Sequence, residues 1–254
     1  MLQDTQQQKP YKILLVGEIC QDVYVFGDVN RLSPEAPVPV LKKSRKEYKQ
    51  GMAGNVCKNI QEMASNSEVH FYCNAIQKIK KIRYIDEKSN YQIMRYDIEN
   101  ELETLNIEDI SHETYDLVVI SDYNKGYLTE KTISSLCRKF KDSKIFVDTK
   151  RQSISSFHNC VIKFNEMESN AIKQKPDSVE IITTLGAKGC SYLGENYPVE
   201  KVEVHDVCGA GDVFLAALAV RWLETKDMIK AIKTANNCAS LSVTKLGCYT
   251  VSTG

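Results

Sequence analysis

Short apolar runs alternate with longer helix-patterned ones along most of the chain, and few architectures accept that rhythm. Lys12 to Val16, Val69 to Ala75, Asp116 to Ile120, Lys144 to Val147 and Glu180 to Thr184 are brief and largely apolar, the pattern of strands buried on both faces. Between and after them, a run opening at Asn55 places Val56, Ile60 and Met63 on one helical face, Glu130 to Phe140 reads as a second helix, and Gly211 to Glu224 and Met228 to Leu246 close the chain as two more. Strands that alternate with helices predict an α/β fold: a mostly parallel central sheet between helical layers, in a three-layer α/β/α sandwich.

Two segments depart from the rhythm. The stretch around residues 23–49 holds three prolines and few helix signals, and residues 37–49 read as edge strands projecting from the main sheet. Residues 81–97 alternate apolar and polar side chains about Glu87-Lys88-Ser89-Asn90, as a hairpin does. Both are expected to form a small β flap, or lid. The organisation expected is a polar tail over residues 1–10 and one domain over residues 11–254, with lid segments near 23–49 and 81–97.

Charge excludes some partners. The 254 residues carry 33 Lys and Arg against 33 Asp and Glu. With no bulk field to draw the chain onto DNA or anionic lipid, neither a nucleic-acid nor a membrane partner is expected. The longest apolar run, Val213 to Val220, is far short of the roughly 18 residues a membrane span needs. The opening MLQDTQQQKP lacks the basic and apolar stretches of a secretion signal, and nine scattered cysteines without a Cys-x-x-Cys pair suit reduced thiols. A cytoplasmic location is expected. The four histidines have no metal-ligand spacing.

The most informative segment is HDVCGAGDVFLAALAV, residues 205–220. It sets Gly-Ala-Gly-Asp at the start of a helix, where unpaired N–H groups and the positive end of the helix dipole favour an anion. Small residues let a phosphate approach the backbone. Asp212 would then accept the proton of an attacking hydroxyl while the amides stabilise charge on the transferring phosphoryl group. Taken alone, the same four residues also read as a tight turn with Asp as a helix cap.

Asp206-Val207-Cys208-Gly209-Ala210-Gly211-Asp212 resembles the second signature of the ribokinase-like (PfkB) carbohydrate kinase family, and Gly51-Met52-Ala53-Gly54-Asn55 resembles its Gly-Gly-x-x-Asn first signature. Three further stretches are similar to the heptose 7-phosphate kinase branch, the kinase half of a bifunctional heptose kinase and adenylyltransferase. They are Arg31 to Val40, Ser121-Asp122-Tyr123-Asn124-Lys125-Gly126, and Lys245-Leu246-Gly247 followed by Thr250-Val251-Ser252. The resemblance covers residues 11 to the C-terminus. It implies a ribokinase-like fold and an ATP- and Mg2+-dependent kinase of a sugar phosphate, with heptose 7-phosphate the leading acceptor, a monovalent cation such as K+ as a further cofactor, and a homodimer.

Carried over residue by residue, the resemblance makes Asp212 the base and the amides from Cys208 to Gly211 the anion hole. Asp22, Gly51 and Asn55 are similar to sugar-binding residues. Asn165 and Glu168 resemble the Asn-x-x-Glu that organises Mg2+ and phosphate, partly through water, although an i, i+3 pair of this kind also reads as a capped helix start. Asn165, Thr184, Gly186 and Gly189, with Asn236 and Ala239, fall where the family binds ATP. Lys125, Arg83 and Arg95 are candidates for the sugar phosphate, or else solvated surface charge. Another sugar or nucleoside as acceptor, or a non-catalytic nucleotide- or sugar-binding role, stays open.

Departures from the family pattern are specific. Met52 stands where the second glycine is usual, and Cys208 where threonine is usual. About one βα unit is missing between Ala75 and the hairpin, and a crossover helix is absent between Ala171 and Val179. No His-x-Gly-His occurs, so the adenylyltransferase half is not expected.

Overall fold

The computed structural model describes residues 10–245; the expected tail before Pro10 and the branch stretches beyond Lys245 lie outside the described residues. In chain order the strands and helices are β1 (Tyr11–Gly17), β2 (Ile19–Leu32), β3 (Pro39–Met52), α1 (Ala53–Met63), β4 (Ser67–Cys73), β5 (Ile79–Asp86), β6 (Tyr91–Glu99), β7 (Leu117–Asp122), α2 (Glu130–Lys139) and β8 (Lys144–Thr149). There follow β9 (Cys160–Asn165), α3 (Glu166–Ala171), β10 (Val179–Thr184), β11 (Cys190–Tyr192), β12 (Glu195–Tyr197), α4 (Ala210–Thr225) and α5 (Met228–Ser242).

An eight-stranded sheet in the order β12-β11-β10-β9-β8-β7-β1-β4 forms the centre. Its strands from β4 to β10 run parallel, while β11 and β12 add an antiparallel hairpin. The strand period sorts side chains to two cores. Ile13, Leu15, Leu117, Val119, Phe146 and Val161 face α1, α4 and α5, whereas Leu14, Val16, Val118, Ile120, Ile145 and Ile162 face α2 and the coil carrying Leu102, Leu105 and Ile110. The layers are those expected from the alternation. β9 and the β11–β12 hairpin are additions to it, and the hairpin turns through Leu193 and Gly194, both at positive φ.

The two flap segments join into one four-stranded sheet, β3-β2-β5-β6, because β2 pairs in parallel with β5. β2 is longer than the sequence suggested, starting at Ile19 and running on to Leu32. This lid sheet springs from the C-terminal end of β1, where open α/β sheets bind ligands.

Helix α4 is buried almost all round, from Asp212 through Val220. Phe146 and Trp222 meet edge to face at 5.8 Å, and each fully buried Leu or Phe along the helix contributes about 1.5–3 kcal/mol. Such packing fixes the start of α4 against the sheet.

Candidate active site

Asp212 lies in the first turn of α4 and is 5% exposed. Asn55 Nδ2 donates to its Oδ2 at 3.0 Å, and the Tyr123 hydroxyl donates to its Oδ1 at 2.8 Å. Asn55 sits in the first turn of α1, which begins at Ala53, two residues earlier than expected. Its amide is oriented from behind: Asn59 Nδ2 donates to Asn55 Oδ1 at 3.3 Å and to the Asn55 carbonyl at 2.9 Å, which turns Asn55 Nδ2 toward Asp212. Burial pushes the Asp212 carboxyl up to about 6, against the two hydrogen bonds that favour its ionised form. That is a good range for a base working near neutral pH.

The sugar-side residues converge at the root of the lid. Asp22 is 3% exposed on β2, and Gly51 opposes Cys20 in the register of β2 with β3. A Cβ on Gly51 would stand 2.0 Å from Asp22 Oδ2, so a side-chain-free residue is what lets the carboxylate lie there. The structure also assigns partners to the three candidate phosphate cations. Arg83 is ion-paired with Asp22 and approaches Cys208 Sγ at 3.8 Å. Lys125 bonds Glu99 at 2.6 Å, tying the β7 loop to the lid. Arg95 opposes Arg83 in register but pairs with Asp97 at 2.9 Å on the half-exposed lid surface. Met52 takes φ 58° and ψ −132°, a glycine-type conformation, yet its side chain turns into the core and not into the cleft.

At the start of α4, Gly209 adopts the left-handed conformation and no side chain among the described residues caps the helix. The Cys208 amide donates to Asp206 Oδ1 at 2.9 Å and the Ala210 amide reaches Val207 O at 3.3 Å. The part of the expected hole with no carbonyl one turn back therefore centres on Gly211 and Asp212. Behind it stands a cation that the sequence reading passed over. Lys163 Nζ lies 2.8 Å from where a Gly211 Cβ would be, is almost fully buried, and bonds Asp148 Oδ2 at 2.6 Å. Burial opposes the Asp148 charge, but Lys163 and Lys150 outweigh it and hold that carboxyl below its ordinary range.

Lys150 continues the chain to Glu168 at 2.7 Å. Glu168 and Asn165 form a reciprocal capping box at the start of α3, so the helix-cap geometry is present. Their oxygens keep further lone pairs, and hard oxygen donors of this kind suit Mg2+ held largely through water. Among the described residues no group of three or more His, Cys, Asp or Glu gathers into a metal cage.

Beside the α4 start is a pocket of about 220 Å³ whose lining is mostly apolar. Thr184, Gly186, Gly189, Asn236 and Ala239, expected from separate stretches of sequence, all line it together with Ala210 and Gly211. Asn236 is turned by its Nδ2 bond to the Tyr197 carbonyl at 2.9 Å. Asn165 lies outside this lining, at the end of β9. In the sequence Tyr123 stands out only as part of its motif, and Asp148, Lys150 and Lys163 carry no motif of their own; the apolar run Cys160-Val161-Ile162 before Lys163 is the available signal.

A buried carboxylate and a helix start without a side-chain cap among the described residues, between a lidded polar cleft and an apolar pocket at the strand ends, sit on a ribokinase-like fold. Ribokinase from Thermotoga maritima has a TM-score of 0.68 at 17% identity over 94% of each chain. Phosphofructokinase-2 from Escherichia coli in complex with potassium has 0.72 at 15% identity over 96% of each. Residues 160–253 match the pfkB family carbohydrate kinase description. The bifunctional protein HldE of Campylobacter jejuni is 29% identical over 99% of this chain and 65% of its own length. That of a Nitratiruptor species is 30% identical over 94% and 63%. The chain thus spans about 65% of the length of these curated relatives. The Campylobacter alignment runs over 305 positions against a chain of 254, so the relative has segments absent here.

Proposed function

We propose that the chain is an ATP-dependent sugar kinase, one domain with a lid, that transfers the γ-phosphoryl group of ATP to the anomeric hydroxyl of heptose 7-phosphate. The observation that carries the reading is Asp212 itself: a buried carboxylate at the start of α4, between the Asp22, Gly51 and Asn55 cleft and the pocket lined by Thr184 and Asn236. Asp212 accepts the proton of the acceptor hydroxyl as that oxygen bonds to the γ-phosphorus and the bond to the β-phosphate oxygen breaks. The Gly211 and Asp212 amides, with Lys163 behind them, face the charge that builds on the transferring group. Asn165 and Glu168 would hold Mg2+, which when bound neutralises phosphate charge. A monovalent cation such as K+ is part of the same reading.

Asp22 and Asn55 hold sugar hydroxyls, and Arg83, Arg95 and Lys125, each ion-paired with a carboxylate in the structure, are the cations that would turn to the acceptor's phosphate. Tyr48, Met94 and Tyr96 lie exposed on the lid and support a homodimer that covers them. A cytoplasmic location suits ATP and a sugar phosphate as substrates. The test is coupled ADP release with heptose 7-phosphate, ribose and fructose phosphates side by side. Heptose 7-phosphate should give the highest kcat/KM. A higher value for another acceptor replaces the substrate, and tight ATP binding with no transfer to any acceptor overturns the kinase reading.

A further inference from the structure

The reading of Asp212 as the base leaves one close neighbour without a role. A buried carboxylate can rotate and can take up a proton, and either change removes a base. Its Oδ2 is held by Asn55, which belongs to the sugar cleft; its Oδ1 is held by Tyr123, which belongs to the loop after β7. From this we infer that Tyr123 is the positioning residue of the site: its hydroxyl fixes the rotation of the Asp212 carboxylate and keeps it ionised, without touching the acceptor. The inference rests on the kinase reading for its consequence, though not for its geometry.

Several groups hold Tyr123 in place. The Tyr123 N–H donates to Glu18 Oε2 at 2.7 Å, and Glu18 Oε1 receives the Lys125 and Leu128 N–H groups at 3.3 and 3.5 Å. Glu18 is fully buried, and these bonds commit it to the loop. The Asn124 N–H donates to Asp122 Oδ1 at 3.0 Å, while Arg151 and Thr149 bond the other oxygen of Asp122. The Lys81 and Lys150 ammonium groups lie 5.5 and 5.6 Å from the Tyr123 ring centroid, one from the lid and one from beyond β8. A tyrosine clamped at its backbone and its ring delivers its hydroxyl at one angle.

The hydroxyl must be the donor, because burial and the neighbouring Asp212 hold its phenol well above the ordinary tyrosine range. Other charges also face Asp212. Asp148 on β8 raises its proton affinity and Lys163 on β9 lowers it, while Cys20 on β2 stays a neutral thiol, its ionisation opposed by burial and by Asp22. Asn55 is the second hydrogen-bond donor. Of these groups, Tyr123 is the one that combines a direct bond to the carboxylate with an anchorage on the loop after β7.

The test is Tyr123→Phe in the full chain, which removes one oxygen and keeps the ring. The acid limb of kcat/KM should move up by about one pH unit, so the loss below about pH 5.5 is about tenfold larger than in alkali, where only the cost of the freed rotation remains, while KM for the sugar stays put. A loss equal at every pH would mean a merely structural tyrosine and overturns the inference. Independently of turnover, the Asp212 side-chain carbonyl can be followed by 13C NMR titration, its resonance identified by its loss in Asp212→Asn. A titration about one unit higher in Tyr123→Phe than in wild type supports the inference; an unchanged midpoint sinks it. If no acceptor is turned over but the midpoint moves, the kinase reading falls and the positioning of Asp212 stands.

Discussion

A methyl group on Gly51 tests the sugar-binding half of the site. Gly51 is not among the glycines at positive φ, so alanine suits its backbone and any effect is steric. The added Cβ would stand 2.0 Å from Asp22 Oδ2 and 2.8 Å from Cys20 Sγ, where ordinary contact begins at 3.4 Å. Asp22 is 3% exposed and anchored by Arg83, so it has no solvent to swing into. Its carboxylate must shift by about 1.4 Å and carry the Arg83 guanidinium with it. A misplacement of about 1 Å in a positioned site costs on the order of 10²-fold, or about 2.7 kcal/mol of transition-state binding. Overpacking of this kind also costs about 1–3 kcal/mol of stability. In coupled ADP release with sugar phosphate varied at saturating ATP, Gly51→Ala should lose about 10²-fold in kcat/KM. Its ATP affinity by calorimetry should match wild type, because the pocket proposed for the nucleotide is lined by neither Gly51 nor Asp22. A folded Gly51→Ala protein with kcat/KM within about twofold of wild type would refute the placing of the acceptor against Asp22.

Asp212→Asn should reduce transfer by about 10²–10⁴-fold while sparing ATP binding. Because burial raises the Asp212 carboxyl from 3.8 to about 6, the folded state binds the proton more tightly and wild type loses stability as pH climbs from about 4 to 6; urea unfolding at pH 8 should therefore find Asp212→Asn more stable by on the order of 2–3 kcal/mol, and at pH 4 nearly equal. The same carboxyl predicts that wild-type kcat/KM falls as pH drops through about 6, and a profile flat down to pH 5 would exclude it as the base. Lys163→Met should lower kcat by about 10²-fold in protein that circular dichroism reports as folded, and unaltered turnover would separate Lys163 from the phosphoryl group. Met52→Gly relieves a glycine-type backbone strain of about 1–3 kcal/mol but empties a core position at a cost of about 2–5, so the melting temperature should fall; a rise would mean that strain is the larger effect.

The parallel sheet was legible because its strands are buried on both faces and advertise themselves as unbroken apolar runs. β9 escaped because Lys163 interrupts its run; the lysine is tolerated inside only beside Asp148. β11 and β12 escaped for a different reason, since three-residue strands carry too few alternations to register, and Leu193 is an unusual residue for a left-handed turn position. Among site residues, Asp212 and Asn55 could be read from short motifs because each role is local to a helix start. The partners of Asp22 could not, because its pairing with Arg83 depends on β2 and β5 meeting in parallel across sixty-one residues of sequence. Tyr123 is the sharpest case: its motif is visible, but that its Tyr bonds Asp212 while its Lys bonds Glu99 shows only in the distances.

The segments expected to be missing fall away from the groups around Asp212 for a topological reason. Asp122, Asp148 and Lys163 hang from β7, β8 and β9, and Glu18 directly follows β1, all in the interior of the sheet, while Asp212 and Asn55 start the helices packed on it. The losses fall elsewhere. One leaves β4 as the sheet edge, and the other shortens the β9–β10 crossover to α3 and a link. At β4 a coil does the work of a layer. The Ser111 N–H donates to the Tyr72 hydroxyl at 3.1 Å, and His70 Nδ1 meets the Tyr115 hydroxyl at 2.9 Å, while Val69 and Phe71 pack against the opposite core. A coil can replace a helix there because an edge strand needs apolar cover on its faces and tolerates solvent along its outer backbone. An interior strand has no such freedom: removing β8 or β9 would break two ladders and take Asp148 or Lys163 with it. Shortening at the rim is therefore the direction in which such a sheet can lose residues while the groups around Asp212 keep their distances.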